Sequence, residues 1–247
     1  MKNIIIGKRS YLSKNLKKKL KNSEIYTIQE LKKKKFDKKK FNLIINSFYS
    51  SLRLNNISNY SEFYNKSIFE LSNLIDIIPR KKINKIIYTS SSSVYSSIND
   101  NYFDDDRNRR IYSSTKLAAE NLIKNYCTKN KIKFTIVRIF NLFGNGEKFS
   151  IISKIIESYK NKNKILKLIN KGDSIRDFIH INDVTLIYKN LIKKKKNEIL
   201  DIGRGYGIKI SDIILNLNYK NFKIQNNKNN ENNFSIAQPS SFKLNEK

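Results

Sequence analysis

With 247 residues, a net charge of +29, one Cys and one His, the chain is long enough to bury the core of one α/β unit but supplies neither a disulfide framework nor a cluster of metal ligands. No apolar run approaches the roughly 20 residues that cross a bilayer, and Met1–Gly7 is too short for the apolar region of a signal peptide, so a soluble, unprocessed cytoplasmic chain without a membrane partner is expected. The charge invites a nucleic-acid reading, but the runs Lys17–Lys19, Lys32–Lys35, Lys38–Lys40 and Lys193–Lys196 are scattered at helix ends and in loops. Lys, Ile and Asn dominate together, as AT-rich coding produces, so no specific nucleic-acid function is expected, only weak adhesion at low salt.

Short β-rich apolar runs predict strands over 3–6, 24–27, 42–46, 84–89, 133–138 and 198–202. Between them, apolar residues at helical spacing predict helices over 11–21, 61–77, 115–129, 149–160 and 183–194. This alternation implies a doubly wound parallel α/β sheet whose carboxyl edge gathers Gly7, Ser91 and Asn141. Between Thr27 and Phe41 there is room for little more than a lysine-rich connection, so the sheet edge should be trimmed over residues 28–41.

Two segments carry chemistry. Lys85-Ile-Ile-Tyr-Thr-Ser ends a strand in hydroxyls, among them Ser91 and Ser92, and Tyr112-Ser-Ser-Thr-Lys116 opens a helix. Four residues apart on a helix, Tyr112 and Lys116 project from one face. An ammonium beside a phenol favours the phenolate, so Tyr112 is a candidate acid/base, Lys116 the group that lowers its pKa, and Ser91 the group that orients a reacting hydroxyl. Spacing alone means nothing: Tyr and Lys are so common that about two Tyr-x-x-x-Lys matches arise by chance, and two occur, the other at Tyr219/Lys223. Only the first stands between a hydroxyl-tipped strand and an apolar helix face.

On these residues the chain resembles the extended short-chain dehydrogenase/reductases, the NAD-dependent epimerase/dehydratase group of nucleotide-sugar epimerases, dehydratases and 4-keto reductases, from residue 1 to about residue 215. The resemblance implies a Rossmann-like cofactor domain over 1–142 and a smaller substrate-binding region over 143–247 that partly returns to the same sheet. It implies Ser91, Tyr112 and Lys116 as the catalytic set. Gly7-Lys8-Arg9-Ser10-Tyr11-Leu12-Ser13 is similar to the family's phosphate loop, with only its first glycine kept. Ser47 and Phe48 then fall at a strand tip over the cofactor, Asn65 at the start of the next helix, and Phe140 near the nicotinamide. Ser91, Ser92, Asn141 and Arg176 fall on the substrate, Arg176 because its planar fork suits a diphosphate. Arg138 and Arg176 alternatively serve as structural ion-pair partners.

An NAD(P) cofactor is implied, with a slight lean to NADP, because Lys8 and Arg9 suit a 2′-phosphate and Tyr26-Thr27-Ile28 lacks an acidic residue. The 4,6-dehydratases of the family follow the catalytic Thr with Asp-Glu where Ser92 and Ser93 stand, which disfavours that reaction. The expected activity is hydride transfer at C4 of a nucleotide-linked sugar, with a possible homodimer through helix 115–129. The alternative is a degenerate, non-catalytic nucleotide-binding protein, suggested by the eroded glycine loop and the Asn-rich tail. His180 and Cys127 are expected in core or surface duty, and no metal is expected.

Overall fold

The computed structural model describes residues 1–46, 60–98, 107–161, 166–169, 172–217, 225–227 and 234–235. In chain order the elements are β1 (Lys2–Ile6), α1 (Tyr11–Lys19), β2 (Ser23–Tyr26), α2 (Ile28–Lys32), β3 (Phe41–Ile45), α3 (Tyr60–Tyr64), a π-helical stretch (Asn65–Phe69), α4 (Glu70–Ile77), β4 (Ile83–Ser91), a 3-10 turn (Ser92–Ser97) and α5 (Arg107–Lys129). There follow β5 (Lys133–Ile139), β6 (Asn141–Phe143), α6 (Ile151–Lys160), β7 (Lys167–Ile169), β8 (Ile175–Arg176), β9 (Phe178–His180), α7 (Ile181–Leu191), β10 (Glu198–Ile202), β11 (Ile208–Lys209), α8 (Ile210–Asn216), β12 (Gln225–Asn227) and β13 (Phe234–Ser235).

Six strands form one parallel sheet in the order β10-β5-β4-β3-β1-β2. Both faces are covered, which is why the strands read as unbroken apolar runs. Ile4, Ile6, Leu43, Ile45 and Ile86 point to the face packed by α4 and α5, where Leu71, Leu74, Ala119 and Ile123 lie. The alternate residues Ile5, Ile44 and Ile87 meet Leu12 and Leu16 of α1 and Val184, Ile187 and Leu191 of α7. Each fully buried aliphatic side chain of this kind contributes about 1.5–3 kcal/mol. Cys127 is buried in the α5 face, and burial pushes its thiol up to about 12, which leaves it inert.

The connection after β2 holds only the five-residue α2, started by a capping box between Thr27 and Glu30, so β2 is the sheet edge, trimmed as its lysine-rich sequence implies. The basic runs are not scattered. Lys17–Lys19 precede β2, Lys32–Lys35 and Lys38–Lys40 precede β3, Arg80–Lys82 precede β4 and Lys193–Lys196 precede β10, so a parallel sheet gathers them at its amino edge. Among the described residues no helix is long and apolar enough to cross a membrane.

Candidate active site

At the carboxyl edge, β4 ends where Ser91 caps the 3-10 turn. The Ser91 Oγ accepts from the backbone N–H of Ser93 at 3.2 Å and from the Ser93 hydroxyl at 3.0 Å. A hydroxyl oxygen has two acceptor sites. With both taken by Ser93, the Ser91 O–H is the donor in its hydrogen bond to Tyr112.

Tyr112 and Lys116 stand one turn apart on α5, which begins at Arg107, eight residues before the predicted start. The polar stretch Arg107-Asn-Arg-Arg hid that first turn from a hydrophobic-period reading. Lys116 is buried, donates from Nζ to the Thr89 carbonyl at 3.1 Å, and lies 5.2 Å from the Tyr88 ring centre and 5.8 Å from that of Tyr112. Burial holds its ammonium down at about 8, opposed by the Glu120 carboxylate. The Tyr112 phenol is pushed up to about 12 by burial. The contact that opposes this rise is Ser91, not Lys116 as the sequence suggests, because the Lys116 ammonium is turned to a backbone carbonyl.

A buried chain of polar groups lies under this edge. Thr89 donates to Asn46 Oδ1, so the Tyr188 hydroxyl, 2.7 Å away, donates to Thr89, while Asn46 Nδ2 donates to Ser13 Oγ. These four come from β4, the end of β3, α7 and α1. Of these the sequence reading singled out only Ser13, as a replacement for a loop glycine, although Asn46 and Thr89 each follow an apolar strand run with a polar residue. Ser10 and Ser13, which replace glycines of the loop, both have structural work: Ser10 caps α1 by accepting from the Ser13 N–H, and Ser13 joins the buried chain. Gly7 has φ +109°, and a Cβ there would approach Asn46 Cβ at 3.3 Å and Ser13 Oγ at 3.4 Å, so glycine is required.

Other expected site residues are placed as follows. Lys8 is exposed and ion-paired to Glu30, and Arg9 is exposed. Tyr11 donates to the Gly144 carbonyl and packs edge-on against Phe149, pinning the loop after β6 to the glycine loop. Leu12 and Phe140 are buried, Leu12 in the core and Phe140 with its N–H on the Ile202 carbonyl. Asn65 is exposed at the start of the π-helical stretch. Asn141 is half-buried and donates from its side chain to the Asp177 carbonyl at 2.9 Å. Arg176, on β8, donates to its neighbour's carbonyl at 3.0 Å. Ser92 is half-buried in the 3-10 turn, and Ser47 and Phe48 lie outside the described residues. The structure thus brings Ser91, Tyr112 and Lys116 together at the end of β4 and gives Leu12 to packing. His180 caps α7, its Nδ1 accepting from the Asn182 N–H at 3.2 Å. Arg138 takes the ion-pair role, forked onto Glu120.

Among the described residues no group of three or more potential metal ligands occurs. A hydroxyl, a phenol and an ammonium thus stand at the carboxyl edge of a doubly wound parallel sheet, the edge along which Gly7 turns β1 into α1. The NAD dependent epimerase/dehydratase family model matches residues 4–203, and the chain belongs to that family. It is 28% identical over 203 residues to the dTDP-D-glucose 4,6-dehydratase of Dictyostelium discoideum, covering 74% of this chain and 46% of that one. The chain spans less than half the length of the curated relatives it matches. In fold it is similar to the UDP-N-acetylglucosamine 4-epimerase of Methanobrevibacter ruminantium M1, solved with UDP-N-acetylmuramic acid, with a TM-score of 0.78 at 15% identity over 96% of this chain and 89% of that one. The UDP-glucose 4-epimerase of Thermus thermophilus, solved with NAD, has a TM-score of 0.75 at 13% identity, over 97% and 91%.

Proposed function

We propose that the protein is an NAD(P)-dependent enzyme acting on a nucleotide-linked sugar, as an epimerase or 4-keto reductase at C4. The observation that carries this reading is the Ser91–Tyr112 hydrogen bond with the Lys116 ammonium one turn along the same helix face. A dinucleotide suits the residues present. Gly7, at φ +109°, turns β1 into α1 in a conformation that disfavours any side chain, and the Tyr11 and Leu12 amides of the first turn, unlike the Ser13 amide capped by Ser10, are left for a pyrophosphate. When bound, that group supplies the hydride acceptor and donor.

The chain's own residues handle the proton. With its phenol at about 12, Tyr112 is protonated at neutral pH and serves as the acid that gives its proton to a sugar carbonyl oxygen, and takes it back in the reverse direction. The single Ser91 hydrogen, given to Tyr112 in this structure, turns to the same oxygen when the sugar binds. Lys116, cationic below about pH 8, provides the positive charge on the cofactor side, one turn along the helix from Tyr112.

The absence of carboxylates at Ser92 and Ser93 weighs against a 4,6-dehydratase, since the Ser93 hydroxyl is spent on Ser91. For cofactor choice, Lys8 is committed to Glu30, so an NADP preference rests on Arg9. Support comes from relatives solved with NAD and with a UDP-sugar.

The test is turnover against a panel of nucleotide sugars and their 4-keto forms, with NADH and NADPH dissociation constants measured alongside. Tyr112→Phe should lower kcat at least a hundredfold and leave cofactor affinity within about threefold. Undiminished turnover in that variant overturns the assignment of Tyr112. Tight cofactor binding by the wild type without turnover on any sugar gives instead the non-catalytic nucleotide binder, and a 4-keto-6-deoxy product gives a dehydratase.

A further inference from the structure

Beneath the candidate site, Ser90, Arg138 and Asp201 stand side by side across β4, β5 and β10, Arg138 being the register partner of both others. From α5, one turn beyond Lys116, the buried Glu120 reaches this row. Its Oε1 accepts from the Ser90 hydroxyl and from Arg138 Nε at 3.1 Å, and its Oε2 accepts from Arg138 Nη2 at 2.7 Å. The Arg138 guanidinium in turn lies 5.0 Å from the Tyr95 ring, and the Tyr95 hydroxyl meets the Asp201 carboxylate at 2.8 Å. The buried, forked ion pair therefore joins α5, which carries Tyr112 and Lys116, to β5, and the Ser90 hydroxyl and the Tyr95 ring tie β4 and the 3-10 turn to the same pair. A single-point ion pair would let α5 slide or rotate on β5 and on the paired β4. Two parallel N–H···O bonds from a planar fork resist both motions.

The same carboxylate acts on the ammonium at distance. Among the described residues, the groups that face Lys116 are the Tyr88 ring and Thr89 carbonyl of β4 and, on its own helix, the Tyr112 ring and Glu120. Tyr88 and Tyr112 are neutral at neutral pH, both phenols being raised by burial. Glu120 is then the charged neighbour, and Arg138 decides how much of that charge Lys116 feels.

Resting on the reading of the site given above, we propose that Glu120 and Arg138 are positioning residues of this site: together with Ser90 they seat α5 on the paired strands β4 and β5 so that Tyr112 meets Ser91, and their charge balance tunes the ionisation of Lys116. A pair that only braces the fold would lower stability when altered and leave the pH dependence alone. Tuning demands more, namely shifts of opposite sign. Glu120→Gln removes the negative charge, disfavours the ammonium, and should move the alkaline loss of function to lower pH. Arg138→Gln leaves the carboxylate uncompensated and should move it to higher pH.

The readout is the pH dependence of NADH and NADPH affinity, which needs no turnover, together with kcat/KM where the wild type turns over. Each Gln variant is expected to shift the alkaline limb by at least half a pH unit in its own direction, and to lower kcat/KM at least tenfold. Arg138→Lys keeps the charge and loses the fork, so it should keep the wild-type limb while kcat/KM falls. That variant also serves if Arg138→Gln does not fold, since a displaced limb in folded Arg138→Lys contradicts the proposal. Unmoved limbs, or limbs moved in the same direction, in folded Glu120→Gln and Arg138→Gln overturn it. If the wild type lacks turnover but the affinity limbs move oppositely, the function fails and the tuning stands.

Discussion

His180 shows how a lone titratable residue is absorbed by structure. Its ring caps α7, stacks edge-on with Phe143 at 5.3 Å between centres, and covers Gly144 so closely that a Cβ there would lie 2.1 Å from its Nε2. Gly144 also has φ +108°, which disfavours any side chain. Gly144→Ala should therefore cost at least about 2 kcal/mol, through backbone strain together with a ring that must move off its cap. Gly146→Ala is the control: φ is +73° but nothing lies within 4 Å, so its cost should stay near 1 kcal/mol. Urea titrations of the two variants measure the difference, and equal costs would show that the histidine yields freely.

Among elements, β4 and α7 illustrate what a one-dimensional pattern conceals. The apolar periods of β1, β3, β4, β5 and β10 announced a parallel sheet, and the hydroxyl tip of β4 followed by Tyr112 and Lys116 announced the centre of the site. The supports of that site were hidden because Asn46, Thr89 and Tyr188 converge from distant positions, and a polar residue inside an apolar run carries no sign of its partner. Lys85 was hidden in the same way. It lies within β4, is buried, and donates to the carbonyls of Leu191 and Lys194 at the end of α7, at 2.9 Å each. Lys85→Met should leave these acceptors bare and cost roughly 2 kcal/mol. Burial lowers the Lys85 ammonium to about 8 from 10.5, so between those values the folded chain binds fewer protons than the unfolded one and gains stability as pH rises. The neutral amine still donates. The stability gap between wild type and Lys85→Met should consequently widen from pH 8 to pH 10 in urea melts, and a narrowing gap would contradict the assignment.

The whole molecule is electrically lopsided. Basic runs crowd the amino edge of the sheet, whereas the candidate site occupies the carboxyl edge. Lysine is favoured at helix C-termini, and those of α1, α2, α4, α5 and α7 lead to strands of the six-stranded sheet at its amino edge, but runs of three and four go beyond what the helix dipole calls for. The charge should show as adhesion to any polyanion: unrelated DNA duplexes are expected to bind with similar affinity at about 50 mM salt and to be released by about 200 mM. Retention of one duplex over another at the higher salt would instead reveal specific recognition.

The short connection through α2 has a consequence at the rim of the sheet. Because among the described residues no further strand follows β2 outward, one row of its backbone amides and carbonyls has no ladder partner there, the feature by which neighbouring molecules zip together. Glu24 of this strand is ion-paired to Lys2 of β1 and to Lys34, and Lys34 also lies over the Tyr26 ring. Lysine abundance is thus a safeguard here, and chemical acetylation of these amines would turn a guarded rim into a seam for self-association.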